Sequence, residues 1–174
     1  MDQISQIKDS EKNETDELIF RRIQTMAGLF VNHEDKIQER FIDKLQGLAS
    51  AHNHGCLVIS FLRSSYIVNS HEFYLAYYEK EPFIQEEPEE AYFEMKPVFY
   101  GIEEDFKIID ENLRKKYFRV FTWICDEIHR WYMEQIYMKM ESILRSAVAL
   151  TAETKGIEVY YGGYMEDLTL IGRI

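Results

Sequence analysis

Proline and glycine, the residues that most often interrupt helices, are unevenly distributed in this chain. Its only prolines, Pro82, Pro88 and Pro97, lie in one acidic stretch, and residues 102–154 contain neither proline nor glycine. Because proline removes a backbone donor and glycine costs conformational entropy, their absence over so long a segment predicts helix. The prolines argue against a continuous helix over 81–97.

Cysteines and long apolar runs are also scarce. Cys56 and Cys125 are the only cysteines and lie far apart, which disfavours a disulfide framework and predicts reduced, buried thiols. The longest apolar run, about residues 56–62, is far shorter than the roughly 20 residues that a membrane-spanning helix needs. The first seventeen residues lack the apolar core of a secretory signal. We therefore expect a cytoplasmic protein that does not associate with membranes.

Positive charge is scarce overall and concentrated where it occurs. The net charge is -11, and residues 79–111 alone hold twelve acidic and three basic side chains. The next eight residues, 112–119, carry four basic side chains and no acidic one. Phosphate-backbone binding needs a broad basic surface, so nucleic acid is disfavoured as a partner.

The apolar residues predict one domain that begins with two helices. A chain of 174 residues with 46% hydrophobic residues can bury one sizeable core. Apolar residues recur every three or four positions over 16–31 and again over 34–51, which predicts a helical hairpin. Residues 1–13 show no such period, and we expect them to be frayed.

The middle and the end of the chain have the texture of strands. Residues 56–68 and 72–79 are rich in β-branched and aromatic side chains and predict a long hairpin that turns at Asn69 and Ser70. The first of these strands should be central, and a third, over 91–95, should lie at an edge. Residues 157–161 and 164–171 predict a second hairpin, with Gly162 and Gly163 as its turn.

The helical region 102–154 is too long to be one helix of a compact domain. It would extend about 75 Å, whereas a domain of this size is about 40 Å across. We expect a break near 112–116, where the charge changes sign, or at Ser142. The alternative is a projecting helix that forms a homodimer. The whole pattern predicts an α+β fold: a helical hairpin, an antiparallel sheet of four to five strands, and a long helix or helix pair packed on it.

Two clusters could carry metal or nucleophilic chemistry. His52, His54 and Cys56, with His71 as a fourth ligand, are suitable residue types for zinc, but their spacing matches none of the usual patterns. A polar helix end beside a buried strand cysteine explains them better, and we assign no metal. Cys125 and His129 are one helical turn apart, yet they lie within an apolar stripe that favours a core thiol. No glycine-rich phosphate loop is present, and no cofactor is expected.

Charged groups on the helices have simple structural explanations. The acids at 103–105 and 126–127 could do acid–base work if burial pushed their pKa values apart. The first group opens a helix, where the dipole favours acids, and this structural explanation is sufficient. The basic and aromatic run 114–119 is short, and internal ion pairs explain it better than a single-stranded nucleic acid does.

The acidic segment 79–111 gives the leading functional hypothesis. Its acids alternate with aromatic residues, so acids could steer a basic protein partner and aromatics could anchor it. The expected contact residues are Glu86, Glu87, Glu89, Glu90, Tyr92 and Phe93. On this hypothesis the protein is a regulatory or inhibitory binding module rather than an enzyme.

A solvated acidic surface is the simpler explanation of the same segment. The alternative function is a small-molecule sensor or an enzyme, with a pocket between the sheet and the long helices. Trp123, His129 and Trp131 would then line that pocket.

Overall fold

The computed structural model describes residues 3–84, 87–151 and 156–174. The helices are α1 (Gln3–Asn32), α2 (Ile37–Ser50), α3 (Arg63–Ile67), α4 (Ile102–Lys116) and α5 (Thr122–Val148), and a 3-10 helix spans Lys96–Phe99. The strands are β1 (Cys56–Phe61), β2 (Glu72–Tyr78), β3 (Glu89–Glu94), β4 (Glu158–Gly163) and β5 (Leu168–Arg173). The chain is therefore a mixed α+β protein. None of the helices in these described ranges is long and apolar enough to cross a membrane.

The five strands form one sheet in the order β3-β2-β1-β4-β5. β1 is central and all six of its residues are buried, and β3 is an edge strand; both placements confirm the sequence predictions. The prediction of a wholly antiparallel sheet is wrong, because β1 and β4 run parallel, with Cys56 opposite Glu158 and Phe61 opposite Gly163. Parallel neighbours need a long crossover connection, and the segment that contains α4 and α5 supplies it.

The helices cover one face of the sheet. α2 places Ile37, Phe41 and Leu45 against it at intervals of one helical turn. Twelve residues of α5 are buried, so this helix fills the centre of the core, and α1 packs mainly against α5. The opposite face carries a smaller apolar cluster that includes Val58, Tyr74 and Tyr78.

The start of the chain differs from the prediction of a frayed segment. α1 begins at Gln3, and Ile7 is buried in the main core. Glu11 is also buried and receives Lys116 of α4 at 3.1 Å. The first turns of α1 were not predicted, because they lack a strong apolar period. Part of their contact with the rest of the protein is made by a polar residue, Glu11.

Two predicted turns also lie elsewhere. β1 ends at Phe61, and α3 fills most of the connection that we assigned to a longer strand. Gly162 and Gly163 belong to β4, and the turn follows them at residues 164–167. A side chain at Gly162 would place its Cβ 2.5 Å from the carbonyl oxygen of Asp167, so glycine serves close backbone approach here rather than the turn itself.

The long helical region is broken as its length requires. α4 ends at Lys116, at the boundary of the segment chosen from the change of charge, and α5 begins at Thr122. The other candidate, Ser142, lies inside α5 and interrupts nothing. Acids in the first turn of α4 and bases in its last turn match the helix dipole. The apolar side of α5 is covered within its own fold, and a homodimer through this helix stays a prediction.

Candidate functional site

A cleft of about 900 Å³ opens beside the end of β1. Its walls come from α3, the 3-10 helix, the first turn of α4 and one side of α5. The cleft lies there because β1 ends at Phe61 and the chain continues as α3 instead of extending the sheet. Ligand sites typically enclose about 300–1,000 Å³, so this cleft has the size of one for a small organic molecule.

The floor of the cleft is aromatic and buried. Phe61 stacks on Tyr137 at 4.9 Å between ring centroids, and Phe99 lies 5.4 Å from the same tyrosine ring. The imidazole of His71 stacks on Phe99 at 4.2 Å with nearly parallel planes. The rings of Phe61, Phe99 and Tyr137 contact the cleft only through the small part of their surface that stays exposed, 6% or less of each.

Two polar side chains, His71 and Tyr137, are buried among these rings, and the exposed Asn69 lies beside them. Nε2 of His71 lies 3.0 Å from Oδ1 of Asn69, and Nδ1 lies 3.2 Å from the hydroxyl of Tyr137. Because an amide oxygen can only accept, Nε2 carries the proton and Nδ1 accepts the hydrogen bond from Tyr137. Asn69 and His71 both have positive φ, 55° and 49°, which is uncommon for residues other than glycine.

Burial sets the protonation state of this group. Desolvation first, and the nearby Lys96 ammonium second, lower the pKa of His71 to about 4. Burial also raises the pKa of Tyr137 above its ordinary value. At neutral pH both side chains are therefore uncharged. The two ring nitrogens of His71 are already engaged, so this imidazole orients its neighbours and has no lone pair left to take a proton from a substrate.

The mouth of the cleft is charged. Glu103, Glu104 and Asp126 line it beside Tyr66, whose pKa is raised by burial first and by Asp126 second. Two of its cations are held by carboxylates: Arg63 by Glu166 at 2.9 Å, and Arg130 by Glu127 at 3.0 Å. Lys96 is the third cation on the lining.

The pocket residues expected from sequence are not those on the lining. Trp123 is exposed near the start of α5, and Trp131 packs partly against the core. His129 is bound by Asp110 at 2.9 Å and stacks behind the cleft wall on Phe106. Asn69 and Tyr137 carried no sequence signal as site residues. His71 was considered only as a metal ligand.

The predicted contact residues on β3 differ in exposure, because successive side chains of a strand point to opposite faces of the sheet. Tyr92 is 55% exposed and Glu89 and Glu90 are exposed, whereas Phe93 is only 6% exposed and packs on Phe41. Phe93 therefore belongs to the core. Glu87 is exposed just before the strand, and Glu86 lies outside the described residues.

Glu89 and Glu90 also contact other side chains of the fold. Glu89 accepts a hydrogen bond from Nε2 of His52 at 3.0 Å, and Glu90 accepts one from the hydroxyl of Tyr74 at 2.8 Å. Each carboxylate keeps a solvent-facing position. The binding of a partner to this strand stays a prediction.

The four metal-ligand candidates do not converge. His52 stacks on Tyr77, Cys56 donates to the carbonyl oxygen of Lys80, and His54 is exposed. Cys56 lies opposite Tyr78 at one end of β2, and His71 precedes the other end, so the length of β2, about 20 Å, separates the two residues. Within the ranges that the structure describes, no three such ligands group together.

Cys125 is a buried thiol. Desolvation first, and a hydrogen bond to Asp110 second, raise the pKa of Cys125 to about 11. His129 is turned to the same aspartate. A thiolate is the nucleophilic form of cysteine, and this environment disfavours it.

The remaining charged groups hold helices together. Asp105, one of the acids that open α4, is buried and receives Arg22 of α1 and the hydroxyl of Tyr132. Its carboxylate is therefore committed to structure. Asp126 instead faces the cleft, while Glu127 pairs with Lys8 and Arg130.

The basic run 114–119 is largely neutralised by acids of the same protein. Lys116 pairs with Glu11 and Glu14, and Arg114 and Lys115 approach acids one turn earlier on α4. This agrees with the internal ion pairs expected from sequence.

Comparisons with protein-family models, with curated proteins and with solved structures found no match to this chain. The functional argument therefore rests on the geometry of the cleft and of the edge strand.

Proposed function

We propose that this protein binds a small organic molecule in the cleft between α3, α4 and α5. The observation that carries the proposal is the cleft itself, which has about 900 Å³ of volume above a buried aromatic floor. An apolar floor with a few fixed polar groups is the usual composition of a ligand site. Asn69, His71 and Tyr137 are those groups.

Binding is favoured over catalysis because neither His71 nor Cys125 is poised to react with a molecule in the cleft. His71 has both nitrogens engaged, and burial lowers the pKa of His71 to about 4, which leaves it a poor base at neutral pH. The buried thiol of Cys125 does not line the cleft. A sensor or carrier needs only selective binding, which a preorganised floor provides at low entropic cost.

A substitution that fills the cleft tests the proposal. Ile67 lines the cleft and is 78% exposed, whereas its neighbour Val68 is 71% exposed and lies outside it. Ile67→Trp should occlude the cleft, and Val68→Trp is the matched control. A fragment library would be screened by ligand-observed NMR against the wild-type protein, and its hits then measured on both variants.

We expect hits that the control binds normally and that Ile67→Trp binds at least tenfold more weakly, because an indole occupies the volume a fragment needs. A screen without hits would contradict the proposal. So would hits that bind equally well to both variants.

The exposed acids of β3 support a second candidate function, capture of a basic protein. β3 is an edge strand, and edge strands can accept a further strand from a partner. Glu87, Glu89, Glu90 and Tyr92 would face that partner, with acids steering the encounter and Tyr92 as the anchor. The buried Phe93 would not take part.

Charge reversal tests this second candidate once affinity capture has identified a partner. The variant Glu87→Lys, Glu89→Lys, Glu90→Lys should weaken the measured Kd at least tenfold and reduce its salt dependence. The control reverses three exposed acids elsewhere, Asp9, Glu34 and Asp43, and changes net charge equally. Equal loss in both variants would reduce the effect to net charge, and unchanged capture by the first would contradict the candidate.

A further inference from the structure

The cleft has more carboxylates without an ion-pair partner than cations without one, and this excess of negative charge indicates a class of ligand. Its lining carries four acids and three bases. Arg63 and Arg130 are held by Glu166 and Glu127, and Glu134 approaches Arg63 at 3.9 Å. Within the described ranges, Glu103, Glu104 and Asp126 have no ion-pair partner, and Lys96 is the one cleft cation without one.

The unpaired acids stand beside aromatic rings. Tyr66 and Phe106 meet edge to face, with ring centroids 6.3 Å apart, and both line the cleft. Burial chiefly raises the pKa of Tyr66. Asp126 and, more weakly, Glu103 raise it further, whereas Arg130 lowers it, so both carboxylates and this guanidinium lie near the ring. Tyr100 adds an exposed aromatic face to the same lining.

We propose, on the basis of the ligand-binding function above, that the ligand of this cleft is an organic cation, an amine or quaternary ammonium compound with an apolar body. Aromatic faces attract cations through the ring quadrupole, and nearby carboxylates add a direct charge interaction. The apolar body would lie on the floor formed by Phe61, Phe99 and Tyr137. The cationic group would lie at the mouth, between Tyr66 and Asp126.

An anionic or a neutral ligand fits this arrangement less well. An anion would meet a protein of net charge -11 and three carboxylates that have no ion-pair partner among the described residues, and Lys96 is the corresponding cation of the lining. A neutral ligand would displace water from those carboxylates without replacing its hydrogen bonds. A cation replaces that water with a charge of the right sign.

Three probes with the same phenylethyl body separate these alternatives. Phenethylamine is a cation at neutral pH, 2-phenylethanol is neutral and 3-phenylpropionate is an anion. Their affinities for the wild-type protein would be measured by NMR titration. We expect phenethylamine to bind roughly tenfold more tightly than either of the others, and to bind more weakly as salt is added.

Two pairs of variants locate the effect. The double variant Glu103→Gln, Asp126→Asn should remove the preference for phenethylamine, whereas Glu111→Gln, Glu141→Gln makes the same charge change on the same two helices and should keep it. Tyr66→Leu should weaken phenethylamine binding and Tyr66→Phe should preserve it, because only the first removes the aromatic face. Thermal unfolding would show that each variant is folded.

The outcomes separate the two proposals. Equal or tighter binding of 3-phenylpropionate or 2-phenylethanol, or a preference that survives the cleft double variant, would overturn the cation and leave the cleft as a ligand site. If none of the probes binds and the fragment screen also yields no hits, both proposals fail.

Discussion

Nε of Arg22 on α1 lies 2.5 Å from Oδ2 of Asp105 on α4 and donates a hydrogen bond to it. The other two guanidinium nitrogens of Arg22 donate to Oδ1 of Asp105 and to the carbonyl oxygens of Tyr100 and Gly101. Tyr132 of α5 donates its hydroxyl to the same carboxylate at 2.6 Å. One arginine thus joins α1, the start of α4 and α5, next to the wall of the cleft.

Arg22→Ala should destabilise the protein by about 3 kcal/mol, because it leaves the buried Asp105 carboxylate without its cation. Arg21→Ala is the matched control: Arg21 is adjacent in sequence, its side chain is 70% exposed, and it pairs with Glu17 only at 3.7 Å. We expect the control to change stability by less than about 0.5 kcal/mol. Urea unfolding at neutral pH measures both, and equal effects would contradict the assigned role of Arg22.

Removing the imidazole of His71 should flatten the acid side of the stability profile. Because the pKa of His71 is lowered to about 4 in the folded protein, the unfolded chain takes up its proton first as pH falls below the ordinary value. Above about pH 6.5 the group is neutral in both states and has no effect on the pH dependence. Between there and pH 4, protonation of the unfolded chain should cost about 3 kcal/mol of stability.

Urea unfolding across this pH range checks the prediction. His71→Gln should lose less stability than the wild-type protein between pH 6.5 and pH 4. The control His54→Gln removes an exposed imidazole instead of the buried one. If the free energy of unfolding of His71→Gln fell with pH as steeply as that of the wild-type protein, His71 would not be a source of this pH dependence.

The two native thiols should react slowly with a disulfide reagent. Burial raises the pKa of Cys56 and of Cys125 to about 11, so only about one thiol in a thousand is ionised at pH 8. Reaction with Ellman's reagent should be slow in the native protein and fast after unfolding in guanidinium chloride. Ser142→Cys, on an exposed position of α5, supplies a fast-reacting reference. A native Cys125 that reacts as fast would restore the nucleophile hypothesis.

The first turns of α1 should contribute to stability. Ile7 is buried in the main core, so Ile7→Ala should destabilise the protein by about 2–4 kcal/mol. Gln6→Ala changes an exposed neighbour and should be nearly neutral. Thermal and urea unfolding measure both changes. An Ile7→Ala variant as stable as the wild-type protein would fit a frayed segment instead.

The sequence predicted those elements whose signal is local. The stripe of α2, the edge position of β3 and the break before α5 each follow from spacing, prolines or a change of charge within a few residues. The parallel pairing of Cys56 with Glu158 has no such signal, because it depends on how two distant segments meet.

The residues of the candidate cleft could not be predicted from the sequence for the same reason. His71 and Tyr137 lie 66 positions apart, and neither residue type implies the other. The sequence hypothesis of a pocket between the sheet and the long helices named different side chains, since helical period alone does not say which side of α5 faces α3.

The parallel pair at the centre of the sheet also sets an order of events during synthesis. β1 is translated about a hundred residues before its neighbour β4, roughly 5–20 s earlier at ordinary elongation rates. Over that interval β1 can pair with β2 on one side, while its other edge has no partner strand, although all six residues of β1 are buried in the folded protein. An unpaired apolar edge is prone to join other chains. A nascent chain that stalls between α5 and β4 would therefore present this edge to other chains.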